Sequence, residues 1–152
     1  MNGRPFWEDS FADLDAPSPF GEVSAEIVEL CTRLPKGARA LDLGAGDGRN
    51  ALFLGRQGYT VTAVDISASG ITKLQHLADQ QHLSIRAVIE DLRTYETKDS
   101  FELVIAHGCL HLLEREHWQR LLGQMKDHTV RRGINVVAVF TNALEPRRSA
   151  TN

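Results

Sequence analysis

One run of residues could hold a small charged ligand. Leu41-Asp42-Leu43-Gly44-Ala45-Gly46-Asp47-Gly48-Arg49-Asn50 has glycine at alternate positions, one acid before the glycines and another among them. Glycine permits backbone conformations closed to other residues and lets a ligand lie against bare backbone. A helix opening at Arg49 would offer free N–H groups to a carboxylate. The spacing is Gly-x-Gly-x-Gly, not the Gly-x-Gly-x-x-Gly of dinucleotide sites. Asp42 and Asp47 bring negative charge into the same turn, which is awkward for a pyrophosphate. They suit a ligand that carries cations, such as an ammonium and a sulfonium. The plain alternative is a glycine turn that only packs a helix close to a strand.

Further acids extend the pattern. Asp65 ends Val61-Thr62-Ala63-Val64-Asp65, about twenty residues beyond the glycines, where a carboxylate can grip the two hydroxyls of a ribose. Its alternative role is to cap a helix that begins near Ser67. Asp91, in Ile89-Glu90-Asp91-Leu92, could accept a hydrogen bond from an adenine amino group while Leu92 packs on the ring or uses its backbone. Glu90 competes for that role, and a solvated loop acid is the alternative. In Ala106-His107-Gly108-Cys109-Leu110-His111, His107 and His111 could orient an acceptor or take a proton. Each could equally line the site without doing chemistry. No setting that would make Cys109 a nucleophile can be argued. His76, His82, His117 and His128 have no metal-type spacing and read as surface, so no metal is expected. The leader aromatics Trp7, Phe11 and Phe20 could cover a sulfonium as a cation–π lid, or simply pack against the sheet.

The elements that must position these residues alternate between strand and helix. Met1 to Gly21 reads as an irregular leader, with Pro5, Pro17 and Pro19 breaking any helix. Glu22 to Leu34 has apolar residues at helical spacing and stops at Pro35-Lys36-Gly37. Strands are expected at Arg39–Leu43, Tyr59–Val64, Leu83–Ile89, Phe101–Ala106 and Ile134–Phe140. Helices are expected at Arg49–Gln57, from a Ser67 or Ser69 cap to Gln81, and at Glu114–His128. Arg93–Ser100 is too short for a full crossover helix. The period implies an α/β, Rossmann-like architecture: a mainly parallel sheet of about five strands with helices on both faces. Residues 1–152 form one domain, with leader 1–21, core 22–141 and a polar tail 142–152.

Composition narrows the function classes. The chain has 152 residues, 42% of them apolar and 24% charged, with net charge -3. No basic stripe argues for nucleic acid. No apolar run approaches the roughly twenty residues of a membrane span, and the N-terminus is not a secretory signal. Cys31 and Cys109 read as reduced thiols in a cytoplasmic protein.

Leu41 to Asn50, with Asp65 and Asp91-Leu92 in place, resembles the class I S-adenosylmethionine-dependent methyltransferases. The Gly-Asp-Gly-Arg-Asn string, Gly-Tyr-Thr-Val-Thr-Ala-Val-Asp and Met125-Lys126-Asp127-His128-Thr129 are most similar to the small tellurite-resistance type. The resemblance implies S-adenosyl-L-methionine as cofactor. It implies contacts from Asp42, Gly44, Ala45, Gly46 and Gly48 to the methionine part, from Asp65 with Ile66 beside it to the ribose, and from Asp91 and Leu92 to the adenine. It also implies that His107 lines the place where the methyl is delivered. No Asn-Pro-Pro-Tyr-type motif follows the fourth strand, which argues against adenine or glutamine side-chain acceptors. The expected acceptor is a small molecule: a thiol, a chalcogen oxyanion or another metabolite.

The family fold implies seven strands, the last two an antiparallel hairpin. The sequence holds no room for that hairpin, so a C-terminal truncation is expected. The fifth strand would then be a bare edge, which predicts a homodimer through that edge or a reordered sheet. Two other functions compete: a cofactor-binding module without catalysis, and an NAD-dependent oxidoreductase. The second lacks a Tyr-x-x-x-Lys or comparable hydride-transfer pair.

Overall fold

The computed structural model describes residues 5–141. The expected tail at 142–152 lies outside them. Five strands form one sheet: β1 (Arg39–Leu43), β2 (Thr60–Asp65), β3 (Ile85–Ile89), β4 (Phe101–His107) and β5 (Thr129–Ala138). Their order is β3-β2-β1-β4-β5 and every pairing is parallel. This is the expected Rossmann-like sheet. The chain winds outward from β1 to β3, then crosses back to β4 on the other side of β1. The order therefore reverses between β1 and β4, and ligands in such sheets bind outside the strand ends at that point.

The helices are α1 (Phe6–Ser10), α2 (Ala25–Leu30), α3 (Arg49–Arg56), α4 (Ala68–Gln80) and α5 (Arg115–Asp127). Two apolar layers sandwich the sheet. On one face Ile27, Leu54, Leu74 and Ala78 from α2, α3 and α4 pack on Ala40, Val61, Ala63 and Ile105. On the other, Leu121 and Met125 of α5 pack with Leu92, Tyr95 and Cys109 on Leu41, Leu43, Val64 and Val104. Alternate residues of β1 supply the two layers, as a strand buried on both sides requires.

The structure corrects several boundaries. The leader is not wholly irregular: Pro5 is the N-cap of the single-turn helix α1. Proline is tolerated at a helix start because the N–H it lacks would have no intrahelical partner. The helix expected over 22–34 shrinks to α2 followed by turns. Ser67, not Ser69, caps α4, its hydroxyl accepting from the Gly70 N–H at 3.0 Å. The fifth strand starts earlier than expected, because Thr129 pairs with Phe101 before the register jumps to Ile134 opposite Leu103. Residues 130–133 bulge out of the ladder, with Arg132 at φ 68. The strand ends at Ala138, so Val139 and Phe140 run past it.

The β3–β4 crossover contains no helix. Its backbone is held from the side by α5 instead. Arg120 donates to the carbonyls of Leu92 (3.0 Å), Arg93 (2.8 Å) and Tyr95 (3.0 Å), and Gln124 donates to Tyr95 at 2.8 Å. These donors satisfy carbonyls that a helix would have paired internally.

Because α5 is the one α-helix covering its face among the described residues, its core contacts should be costly to lose. Leu121→Ala, at a fully buried position, should lower unfolding free energy by about 2–5 kcal/mol. Leu112→Ala, at a residue 63% exposed, should change it by less than about 0.5 kcal/mol. Urea denaturation of the two variants checks the difference.

Candidate functional site

The carboxyl ends of β1, β2 and β4 bring most of the expected residues together. After Leu43 the chain turns through Gly44, Ala45, Gly46, Asp47 and Gly48 into α3. Gly44 and Ala45 both donate to the Val64 carbonyl, at 2.8 and 3.1 Å. Two glycines here are sterically forced. Gly44 has φ +72, and a Cβ on it would stand 2.5 Å from the Cys109 Cβ. Gly48 has φ +90, and its Cβ would stand 2.2 Å from the Leu74 Cδ1. Gly48 is also the N-cap of α3, which has no side-chain cap and no acid in its first turn. That helix end is therefore open to an anionic group.

The acids of this turn meet different fates. Asp47 does not offer free charge to a ligand, contrary to the expectation. It is 3% exposed and paired with the buried Lys73 at 3.1 Å, while Ser18 of the leader donates to its other oxygen at 2.8 Å. Lys73 escaped the sequence reading because a lysine on a helix ordinarily faces water. The signal was its place beside Leu74, one residue off the apolar stripe of α4. Asp42 is 2% exposed, and its Oδ2 has no hydrogen-bond partner. Burial, then the neighbouring Asp65, push its pKa up to about 7, against the pull of Arg49 and the Ala51 N–H. Asp65 accepts from the Gly46 N–H at 2.8 Å and from the Ser67 N–H at 2.8 Å. It thus braces the glycine turn and the start of α4 at once. Burial raises its pKa, and those backbone donors oppose the rise.

Ile66, next to Asp65, is 57% exposed. Leu92 is buried in the layer under α5 and lies near Gly44. Asp91 is gripped by Arg93, which donates from its backbone N and from its guanidinium to both oxygens. These contacts pull the Asp91 pKa down. Any further donor to Asp91 must share it with Arg93.

His107 ends β4 and is half-buried. Its Nδ1 lies 3.0 Å from Arg49 Nη2. Burial and Arg49 lower its pKa, and Glu26 opposes them. His111 does not join this polar group: it is exposed and meets Phe140 edge-on at a centroid distance of 5.3 Å. Cys109 donates to the Leu43 carbonyl at 3.2 Å, and burial with Asp42 and Asp65 pushes its pKa up to about 12. It remains a thiol at neutral pH. Of the histidines read as surface, His128 instead has its Nδ1 2.8 Å from the Asp99 carbonyl, and His117 buries an unpaired Nδ1.

The leader folds over the turn. Phe11 is 1% exposed, and a Cβ at Gly46 or Gly70 would meet its ring at 3.3 or 3.1 Å. Phe20 lies 5.9 Å from Phe11 between ring centroids and is 48% exposed. Ser69 of α4 donates to Glu8, and Arg49 donates to the Phe20 carbonyl at 2.9 Å. One concavity lies elsewhere. It is an open groove of about 780 Å³ between α4 and the edge strand β3, lined by Ile71, Gln75, Arg86 and Ile89 among others. It contains none of the candidate residues. Among the described residues no group of His, Cys, Asp and Glu could hold a metal ion, and no helix is long and apolar enough to cross a membrane.

The family model described as "Tellurite resistance protein TehB" matches residues 18–146. The chain belongs to the TehB family. The probable S-adenosyl-L-methionine-dependent methyltransferase TehB of Haemophilus influenzae is 28% identical over 114 residues, covering 75% of this chain and 37% of the relative. The crystal structure of TehB from Haemophilus influenzae aligns with a TM-score of 0.73 at 25% identity, covering 86% of this chain and 44% of that one. A methyltransferase from Geobacter sulfurreducens, solved with S-adenosyl-L-homocysteine, aligns with a TM-score of 0.69 at 20% identity, covering 90% of this chain and 56% of that one. The last likeness is one of fold. This TehB-family chain spans 37% of the length of the first curated relatives it matches.

The buried Asp42 predicts an unusual pH dependence. Its folded pKa lies above its ordinary value, so its contribution to stability is complete below about pH 4 and lost as pH rises through about 7. Asp42→Asn should therefore gain progressively on the parent protein between about pH 4 and 7, by up to about 4 kcal/mol. Thermal unfolding of both across that range measures the gain. A parent–variant difference that stays flat with pH would contradict a buried, ionising Asp42.

Proposed function

We propose that this TehB-family protein is an S-adenosylmethionine-dependent methyltransferase acting on a small-molecule acceptor: a thiol, a chalcogen oxyanion or another metabolite. The observation that carries the reading is the unpartnered Oδ2 of buried Asp42. A buried polar atom without a partner is costly, and an ammonium placed there would satisfy it and bring the carboxylate back to its charged form. The open N-terminus of α3 suits the carboxylate of the same amino-acid moiety. The donor set thus fits the methionine end of the cofactor, with Gly44, Ala45, Gly46 and Gly48 as its floor.

Asp65 takes the ribose hydroxyls, since its oxygens keep lone pairs beyond those used by Gly46 and Ser67. Ile66 offers an exposed apolar face beside it, and Asp91 with Leu92 completes the adenine end. When bound, the cofactor supplies an electrophilic methyl on a sulfonium. Displacement at that carbon by an acceptor's lone pair, with the carbon–sulfur electrons going to sulfur, is the chemistry the bound cofactor would supply beside these residues. His107 stands beside the acceptor, and the leader aromatics Phe11 and Phe20 exclude water from the glycine turn. Holding the acceptor in line then supplies most of the rate. The protein works in the cytoplasm, and a second copy pairs along β5, whose outer edge carries the exposed Val137.

Calorimetric titration tests the cofactor assignment. S-adenosylhomocysteine should bind and NAD should not. Asp65→Ala should weaken that binding by about 1.5–3 kcal/mol, or roughly 10- to 100-fold. Methyl transfer to a panel of thiols and oxyanions should follow with labelled cofactor. Binding without turnover on any acceptor would favour a non-catalytic binding module, and NAD binding alone would favour an oxidoreductase. Light scattering should show a dimer; a clean monomer removes the β5 pairing.

A further inference from the structure

The contact between Arg49 and His107 fixes more than position. A guanidinium has only N–H donors and no acceptor. With Arg49 Nη2 at 3.0 Å, His107 Nδ1 can take part only through its lone pair. The ring proton of the neutral imidazole then sits on Nε2. Arg49 is itself held: Nη1 donates to the Phe20 carbonyl at 2.9 Å, and the residue opens α3 directly behind Gly48.

We propose that Arg49 is a positioning residue that locks His107 in its Nε2–H form, so that β4 ends on a hydrogen-bond donor and not on a base. The consequence for the substrate rests on the methyltransferase reading above. A site that offers a donor and a cation, but no base, takes an acceptor whose reacting atom is already anionic when it binds, a thiolate or an oxyanion. The charged groups that face the ring support the lock. Arg49 from α3 opposes a second proton on His107, as does burial, and the exposed Glu26 of α2 opposes them without reversing the direction. Arg49 is also within Coulombic reach of Asp42 of β1. Cys109, the next polar side chain along the chain, is held as a neutral thiol. His111 turns toward Phe140 instead. By residue type alone His107 could orient an acceptor, take a proton or line the site without doing chemistry; the Arg49 contact argues against the second.

Long-range proton–nitrogen NMR on the full chain reads the tautomer directly, with the exposed His82 as an internal reference. His107 should show the Nε2–H pattern and stay neutral to a pH below the ordinary imidazole range. In Arg49→Met it should become a tautomer mixture with a higher midpoint. An Nδ1–H pattern or a mixture in the unaltered chain overturns the proposal, whether or not the variant folds. So does a His107 spectrum unchanged in Arg49→Met. Calorimetry with S-adenosylhomocysteine on the same samples separates the two readings. Absent binding with an Nε2–H signature sinks the methyltransferase reading and leaves the lock standing, whereas binding with the wrong tautomer does the reverse. Where turnover is measured, the pH–rate midpoint should move with the acceptor's own ionisation across thiols of different acidity. One fixed midpoint for all thiols would show a protein base and overturn the proposal.

Discussion

The site exists because backbone comes within contact distance of side chains where a Cβ would collide. Gly44 lies against Cys109, Gly48 against Leu74, and Gly46 and Gly70 against Phe11. Each contact joins a different part of the fold to the same turn: the loop after β4, the body of α4, and the leader. The turn is therefore the meeting point of both faces of the sheet, and its shape fixes how β1, β2 and β4 present their carboxyl ends. A side chain at Gly44 or Gly48 would collide with Cys109 or Leu74, and the positive φ there independently disfavours any other residue.

Electrostatics at that point are graded among the acids. Asp47 is neutralised by Lys73, an ion pair almost sealed from water. Such a pair is weak evidence for stability, because desolvation offsets most of its attraction. Its effect is geometric, tying α4 and the leader residue Ser18 to the turn. Asp65 spends its oxygens on backbone N–H groups, which keep it ordered. Among these three acids Asp42 alone retains an unmet oxygen in a buried place. One turn thus holds an acid that is structural, one that braces, and one suited to a ligand.

The leader belongs to this arrangement. Phe11 fills the space over Gly46 and Gly70, Glu8 accepts from Ser69, and the Phe20 carbonyl accepts from Arg49. Arg49 in turn reaches His107 at the end of β4. A chain of direct contacts therefore runs from the leader, across the start of α3, to the carboxyl end of β4. Any movement of the leader would be felt at His107 through that guanidinium.

Local pattern alone determined the parallel sheet, the glycine turn and the acids at the ends of β1 and β2. Strand and helix periodicities are properties of short windows, and the glycine spacing is legible without any partner. The same held for the missing crossover helix, since the segment is too short for one. Tertiary structure decided what no window contains. Lys73 reads as a surface lysine until α4 packs it onto Asp47. Pro5 reads as a breaker until it stands at the N-cap of α1. His107 and His111 read alike in sequence, and only packing separates them. One meets a guanidinium that dictates which nitrogen carries its proton, and the other faces solvent beside Phe140. Residue type sets which charges and donors are available, whereas burial and the identity of the facing group set what each can do, and both are fixed by contacts distant in sequence.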